Sequence, residues 1–335
     1  MTRRDMLLAA LVATMWGFNF VVIDWGMDGI PPLFFVAIRF AVVALAVVVV
    51  PRPLASWKTV VGVGLFMSLG QFALLYTSIA LGLQPGIAAL LLQAQVVLTI
   101  LVAALALRER PTRLQVAGVL LGTVGLGIVA FGRGGDAPAL AVVLCLLAAL
   151  SWAIGNVVAR RAGPVAPARR FGALSLTVWS SLVVPLPALG LSALIEGPDA
   201  IAAGIAAFGW RPALSTLYTA GLCTLVGYAI FNGLLARNRS ASVVPWVLLA
   251  PVVAMASAAL LLGQVPNVWE TVGGAVLVAG VFVANAPARR KAARVAGAAG
   301  ATSETSEAQA SQAQASGASE ASEASGLQET VPRSK

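Results

Sequence analysis

Apolar residues run through this chain in long uninterrupted blocks, not in the alternating or one-face patterns of water-soluble elements. Ten blocks stand out, at residues 6 to 23, 32 to 50, 59 to 80, 86 to 107, 114 to 131, 139 to 159, 171 to 193, 213 to 236, 241 to 262 and 268 to 286. Each is near the ~20 residues that a helix rising 1.5 Å per residue needs to cross ~30 Å of hydrocarbon. Helices satisfy their own backbone groups where lipid offers no partner, so the pattern predicts an all-α membrane protein with ten transmembrane helices. The character changes after residue 287. Arg289, Arg290, Lys291 and Arg294 lead into a tract of Ala, Ser, Glu, Gln and Gly, which predicts a basic juxtamembrane segment and a disordered tail over 288–335.

The second half of the pattern repeats the first. Trp16, Val21 and Val22 precede Trp152, Val157 and Val158 by 136 residues, and Val96 and Val97 precede Val252 and Val253 by 156. At an offset of 155, Leu105, Leu107, Pro111, Gly118 and Gly125 meet Leu260, Leu262, Pro266, Gly273 and Gly280. The chain therefore divides into a first repeat at 1–133, a second at 139–287, and the tail. Five helices per repeat is an odd number, so the second unit enters the membrane from the opposite side and the repeats are inverted. Inverted repeats are the architecture of carriers that expose a central site alternately to the two sides.

Composition narrows the chemistry. The chain is 59% hydrophobic and 10% charged, with no histidine, which removes Ser-His-Asp catalysis and His-ligated zinc. No nucleophile and base stand at helical spacing, so no catalytic residue, metal or cofactor is expected, and the chain does not read as an enzyme. Cys145 and Cys223 lie inside apolar blocks and read as buried packing residues.

Charge supplies orientation. The net charge of +9 conceals an excess of 12 within residues 1 to 294, where 20 basic residues stand against 8 acidic ones. With a cytoplasmic N-terminus, 17 of those basic residues fall on the inside, Arg133 and Arg211 fall outside, and Arg39 falls within a helix. The positive-inside rule then predicts a multi-pass inner-membrane protein with both termini cytoplasmic. The basic balance is a topology signal and calls for no nucleic-acid partner. No small-residue cleavage site follows the first block, so it reads as a retained helix rather than a signal peptide.

Several short stretches carry a family resemblance. Trp16-Gly17-Phe18-Asn19-Phe20-Val21-Val22, Pro31-Pro32-Leu33 with Arg39-Phe40, Gln93-Ala94-Gln95, Glu109-Arg110, Ser151-Trp152 with Gly155-Asn156, Val226-Gly227-Tyr228 and Leu249-Ala250-Pro251-Val252-Val253 occur in that order. In these the chain resembles the EamA family of the drug/metabolite transporter superfamily, and within it the O-acetylserine and cysteine exporters. The resemblance covers residues 1 to 287. It departs at Gln264, where the family commonly places an acidic residue matching Glu109.

Polar side chains within the spans are the candidates for a substrate path, because each is costly in lipid and tends to face the bundle interior. Trp16 with Asn19, Trp152 with Asn156, and Tyr228 with Asn232 stand three or four residues apart, each pair on one helix face. An aromatic body beside an amide suits a small zwitterion, while the same residues also suit helix bridging and interfacial anchoring. Gln71 and Tyr76 join them. Gln93 and Gln95 are two residues apart and point about 200° from each other in a regular helix, which lets one of them face a central cavity; the resemblance keeps both. Arg39 is the one charge well inside a span, suited to a substrate carboxylate or to structural pairing.

Asp24 and Glu270 sit near helix ends and Glu109 in a basic loop, so a proton relay through Asp, Glu or His is not expected. Gly118, Gly122 and Gly125, with Gly273, Gly274 and Gly280, give the fifth and tenth helices smooth sides, for packing within the bundle or for a homodimer contact. Pro245 and Pro251 mark hinges in the ninth helix, and Pro185 and Pro187 interrupt the seventh. The reading is a transporter exporting small amino-acid-like metabolites of the O-acetylserine and cysteine type, as monomer or homodimer. Export of other metabolites or drugs, and a non-transporting membrane scaffold, are its alternatives.

Overall fold

Thr2 starts the first helix as an N-cap, its hydroxyl accepting from the Asp5 amide at 3.1 Å. A computed structural model describes residues 1–132, 138–161, 172–238 and 240–285; the predicted tail lies outside the described residues. Each of the ten predicted stretches is helical over most of its described residues, with short breaks in four of them, and no β-strand occurs among the described residues.

The helices are α1 (Arg3–Gly26), α2 (Pro32–Ala44, extended by a 3₁₀ turn over Leu45–Val48), α3 (Trp57–Ala80), α4 (Pro85–Leu107), α5 (Arg113–Gly132), α6 (Ala139–Arg161), α7 (Gly172–Ser181), α8 (Pro185–Ile195), α9 (Pro198–Ala206), α10 (Trp210–Leu235), α11 (Ser240–Val247), α12 (Leu249–Leu262) and α13 (Val268–Asn285). Proline opens α2, α4, α8 and α9, where its missing N–H would have had no intrahelical partner. By length and composition six of them, α1, α3, α4, α6, α10 and α13, are able to cross a membrane. Described residues of α7 and α8 form a pair bent by 42° at the break before Pro185, and α2, α5 and α12 supply shorter apolar helices. The outward surface is apolar as well: Leu105, Leu194 and Leu260 are more than four-fifths exposed, which lipid favours and water does not. The protein is thus a multi-pass, all-helical membrane protein.

Irregularities fall at matching places in the two halves. A π-helical stretch interrupts α3 at Gly64–Gly70 and α10 at Leu217–Val226. Leu92 and Gln93 break α4, and Leu248, 156 residues after Leu92, separates α11 from α12. Proline accounts for the second break, since Pro251 removes the amide that would reach the Val247 carbonyl. No proline or glycine stands at the first; there the Gln93, Gln95 and Val96 amides each reach back three residues, to the Leu90, Leu92 and Gln93 carbonyls. Both broken helices end in a left-handed residue, Arg108 (φ 53°) and Gly263 (φ 68°), again 155 residues apart.

The glycines of α5 and α13 are spent on each other. A Cβ at Gly118 would lie 2.6 Å from the Gly280 carbonyl oxygen, one at Gly125 2.7 Å from that of Gly273, and one at Gly273 2.8 Å from that of Gly125. Gly132 meets Trp269, so the two helices run antiparallel with backbones in contact. Elsewhere hydroxyls join helices through carbonyls: Ser78 to Ala141 at 2.6 Å, Ser215 to Val22 at 2.6 Å. Both cysteines are buried and unpaired.

Candidate functional site

Helices interrupted by π-turns and breaks cannot pack side by side along their whole length, and the space left becomes a cavity. It measures about 440 Å³ and is bounded by α1, α2, α3, α4, α6, α10, α11, α12 and α13. Of the eleven substrate-path candidates read from the sequence, nine line it: Trp16, Asn19, Arg39, Gln71, Gln93, Gln95, Trp152, Asn156 and Tyr228.

Two do not. Tyr76 is fully buried one step behind the wall, its hydroxyl accepting from Arg39 Nη1 at 2.8 Å. Asn232 is not among the lining residues, although it stands four residues after Tyr228 and only about 40° from it around the helix. Pro251 lines the cavity at its hinge; Pro245 lies in α11, but its side chain lies outside the described residues.

Both Gln93 and Gln95 face the cavity, contrary to the expectation of one. The 200° separation applies to a continuous helix, and the break at Leu92 and Gln93 resets the rotation between them. Gln95 is held in place: its Oε1 accepts from Asn156 Nδ2 at 3.1 Å, which also reaches Thr99 Oγ1 at 3.4 Å.

Arg39 is 3% exposed. Its Nη2 donates to Thr224 Oγ1 at 3.3 Å, its guanidinium lies 4.0 Å from the centre of the Phe72 ring, and its Nε has no protein partner. None of the ion pairs among the described residues involves it. Asn19, buried on the neighbouring α1, leaves its Oδ1 without a partner too.

Among the lining residues described, Arg39 is the only charged one. Glu270 instead caps α13 reciprocally: its Oε2 accepts from the Asn267 amide, and Asn267 Oδ1 accepts from its own. Asp24 lines a separate space of about 420 Å³ with Asp28 and Arg211. Gln264 lies apart from the cavity, beside Gln84 and Gly86.

Sequence reasoning missed Phe72, Thr224, Phe231 and Asn285 as wall residues. Thr224 carries no signal of its own, since threonine is ordinary in apolar helices and its partner Arg39 lies 185 residues away.

The π-segments are tied down from the opposite half. Trp16 Nε1 donates to the Cys223 carbonyl at 3.0 Å, and Ser151 Oγ to that of Phe66 at 2.7 Å. The Trp16 ring also packs on Tyr228 and Phe231, each centre 5.2 Å away. Trp16→Phe keeps an aromatic ring there and removes the donor. The expected cost is about 1–3 kcal/mol, read as a lower melting temperature in detergent, and an unchanged value would count against the bond.

Comparison with known proteins follows this architecture. The model of the EamA-like transporter family matches residues 4–131 and again 139–286. A probable amino-acid metabolite efflux pump of Salmonella typhimurium is 39% identical over 301 residues, covering 89% of this chain and 100% of its own. One of Escherichia coli with the same description is 36% identical over 286 residues, covering 84% and 95%. A solved crystal structure superposes with a TM-score of 0.54 at 19% identity, over 85% of this chain and 97% of its own, a likeness of fold alone. Matched in both halves and along almost the whole helical region, the chain belongs to the EamA-like transporter family.

Proposed function

We propose that the protein is a ten-span inner-membrane exporter of small amino-acid-like metabolites, of the O-acetylserine and cysteine type, and that the central cavity is its transport site. The observation that carries this reading is the cavity itself. Its wall draws amides and aromatics from residues 1–133 and from residues 139–287, beside the matched breaks and π-stretches of both. Such a site suits alternating access, in which two inverted repeats rock about a fixed centre.

The antiparallel course of α5 against α13, the last helix of each repeat, supports inversion. Orientation is supported by pairing across loops. Asp5 with Arg237 at 3.4 Å and Glu109 with Arg160 at 2.7 Å join residues assigned to the cytoplasmic side, while Asp28 with Arg211 at 3.4 Å joins two assigned outside. The substrate class is favoured by the relatives described as probable amino-acid metabolite efflux pumps.

Purified protein in lipid vesicles loaded with labelled cysteine or O-acetylserine is expected to release label faster than protein-free vesicles. Release of other metabolites or drugs alone would move the substrate class. No flux of any solute would leave a non-transporting scaffold.

A further inference from the structure

We infer that the cavity recognises its substrate by an unblocked carboxylate, received by Arg39, while the substrate's ammonium group meets only neutral acceptors, Asn19 foremost. The inference deepens the export reading and rests on it for the identity of the site.

A buried guanidinium without a counter-charge is an expensive arrangement, and proteins normally pair such a group. Here two hydroxyls and the rings of Phe72, Phe40 and Tyr76 hold Arg39 in place without neutralising it. Its Nε remains unpartnered, and among the described residues no carboxylate shares the wall. A neutral environment that fixes the fork and leaves the charge uncompensated is prepared for an anion that arrives from outside. A carboxylate fits the planar fork better than a spherical anion does, because it accepts two parallel hydrogen bonds.

The same wall sets the rest of the specificity. Asn19 Oδ1 is a buried acceptor without a donor, suited to N–H groups of the ligand. No anionic side chain among the described wall residues faces an ammonium, so the amino group contributes less than the carboxylate, and a second positive charge on the substrate is disfavoured by Arg39. The remaining wall, including Trp16, Phe72 and Trp152, is left for an apolar or polarisable side chain.

Three unlabelled competitors test this against efflux of labelled cysteine under reducing conditions: cysteine, its des-amino analogue 3-mercaptopropionate, and its α-carboxamide. Cysteine and 3-mercaptopropionate are expected to compete, and the carboxamide to compete at least about tenfold more weakly, the loss of a charge-assisted pair. Arg39→Gln is expected to weaken cysteine at least about tenfold and to erase the difference between acid and amide, with Arg39→Lys intermediate. Quenching of intrinsic tryptophan fluorescence in detergent, where Trp16 and Trp152 report on the cavity, repeats the comparison without flux.

If the wild type cannot tell acid from amide, the inference falls while the exporter reading stands, and that result needs no variant to fold. If acid binds in preference but nothing moves, the exporter reading falls and carboxylate recognition stands. If neither acid nor amide quenches or competes, both fall.

Discussion

Gly125→Leu is expected to abolish most of the folded protein, with the monodisperse fraction after detergent extraction down by at least about tenfold. At this position a Cβ would lie 2.7 Å from the Gly273 carbonyl oxygen and closer still to the Leu277 backbone nitrogen. The obstructing atoms are backbone on both counts, so no rotamer change relieves them and α5 must move away from α13. Ordinary overpacking costs about 1–3 kcal/mol where neighbours can shift. Separating two helices that touch at Gly118, Gly125, Gly273 and Gly280 forfeits the seam as a whole, and a loss of only 1.4 kcal/mol is already tenfold in the folded ratio. Gly127→Leu is the control, on the same helix with nothing within 4 Å of its would-be Cβ. Equal yields from the two variants would falsify the assignment of these glycines to the α5–α13 contact and return them to an exposed surface.

That seam was legible as small residues in the sequence, and its partner was not. Spacing put Gly118, Gly122 and Gly125 on one side of a helix, but a stripe of glycines suits a second copy of the chain as well as a neighbouring helix. The antiparallel contact with α13 decides between them for the described bundle. Helix positions were readable for a simple reason, because a membrane imposes length and apolarity on every block. Breaks were readable only where proline writes them. Pro185 and Pro251 announce the bends at α8 and α12, whereas the break at Leu92 and Gln93 has no proline or glycine and comes from tertiary context.

The same limit governs the site. Trp16, Asn19, Trp152 and Asn156 could be found because polar residues in apolar helices are conspicuous, and periodicity gave their faces. Gln93 and Gln95 confounded that periodicity at an unannounced break. Arg39 stood out by its charge, yet its setting among Tyr76, Phe72 and Thr224 joins three helices, the last of them 185 residues away in sequence. No single-helix pattern encodes it.

The second large effect separates the cavity from the fold that surrounds it. Val96→Trp is expected to bring efflux below about a tenth of wild type while leaving folded yield unchanged. Val96 stands just past the break in α4, lines the cavity and is only half-buried, so an indole there extends into open space instead of into packed neighbours. The cost that accompanies small-to-large changes in a tight core is therefore small at this position. Under the proposed alternating access, the volume removed is that in which the solute would rest between the two openings, and without it no occluded state would form. Val48→Trp, at a residue 88% exposed on the bundle surface, controls for bulk alone. Val96→Ala, which widens the space, is expected to retain flux. Full transport by a well-folded Val96→Trp variant would place the path elsewhere, with the space beside Trp25, Trp210 and Tyr218, about 470 Å³, the next to examine. Loss of flux in Val96→Trp alone, with both controls active, ties movement of the solute to the chamber that Arg39 and Asn19 line.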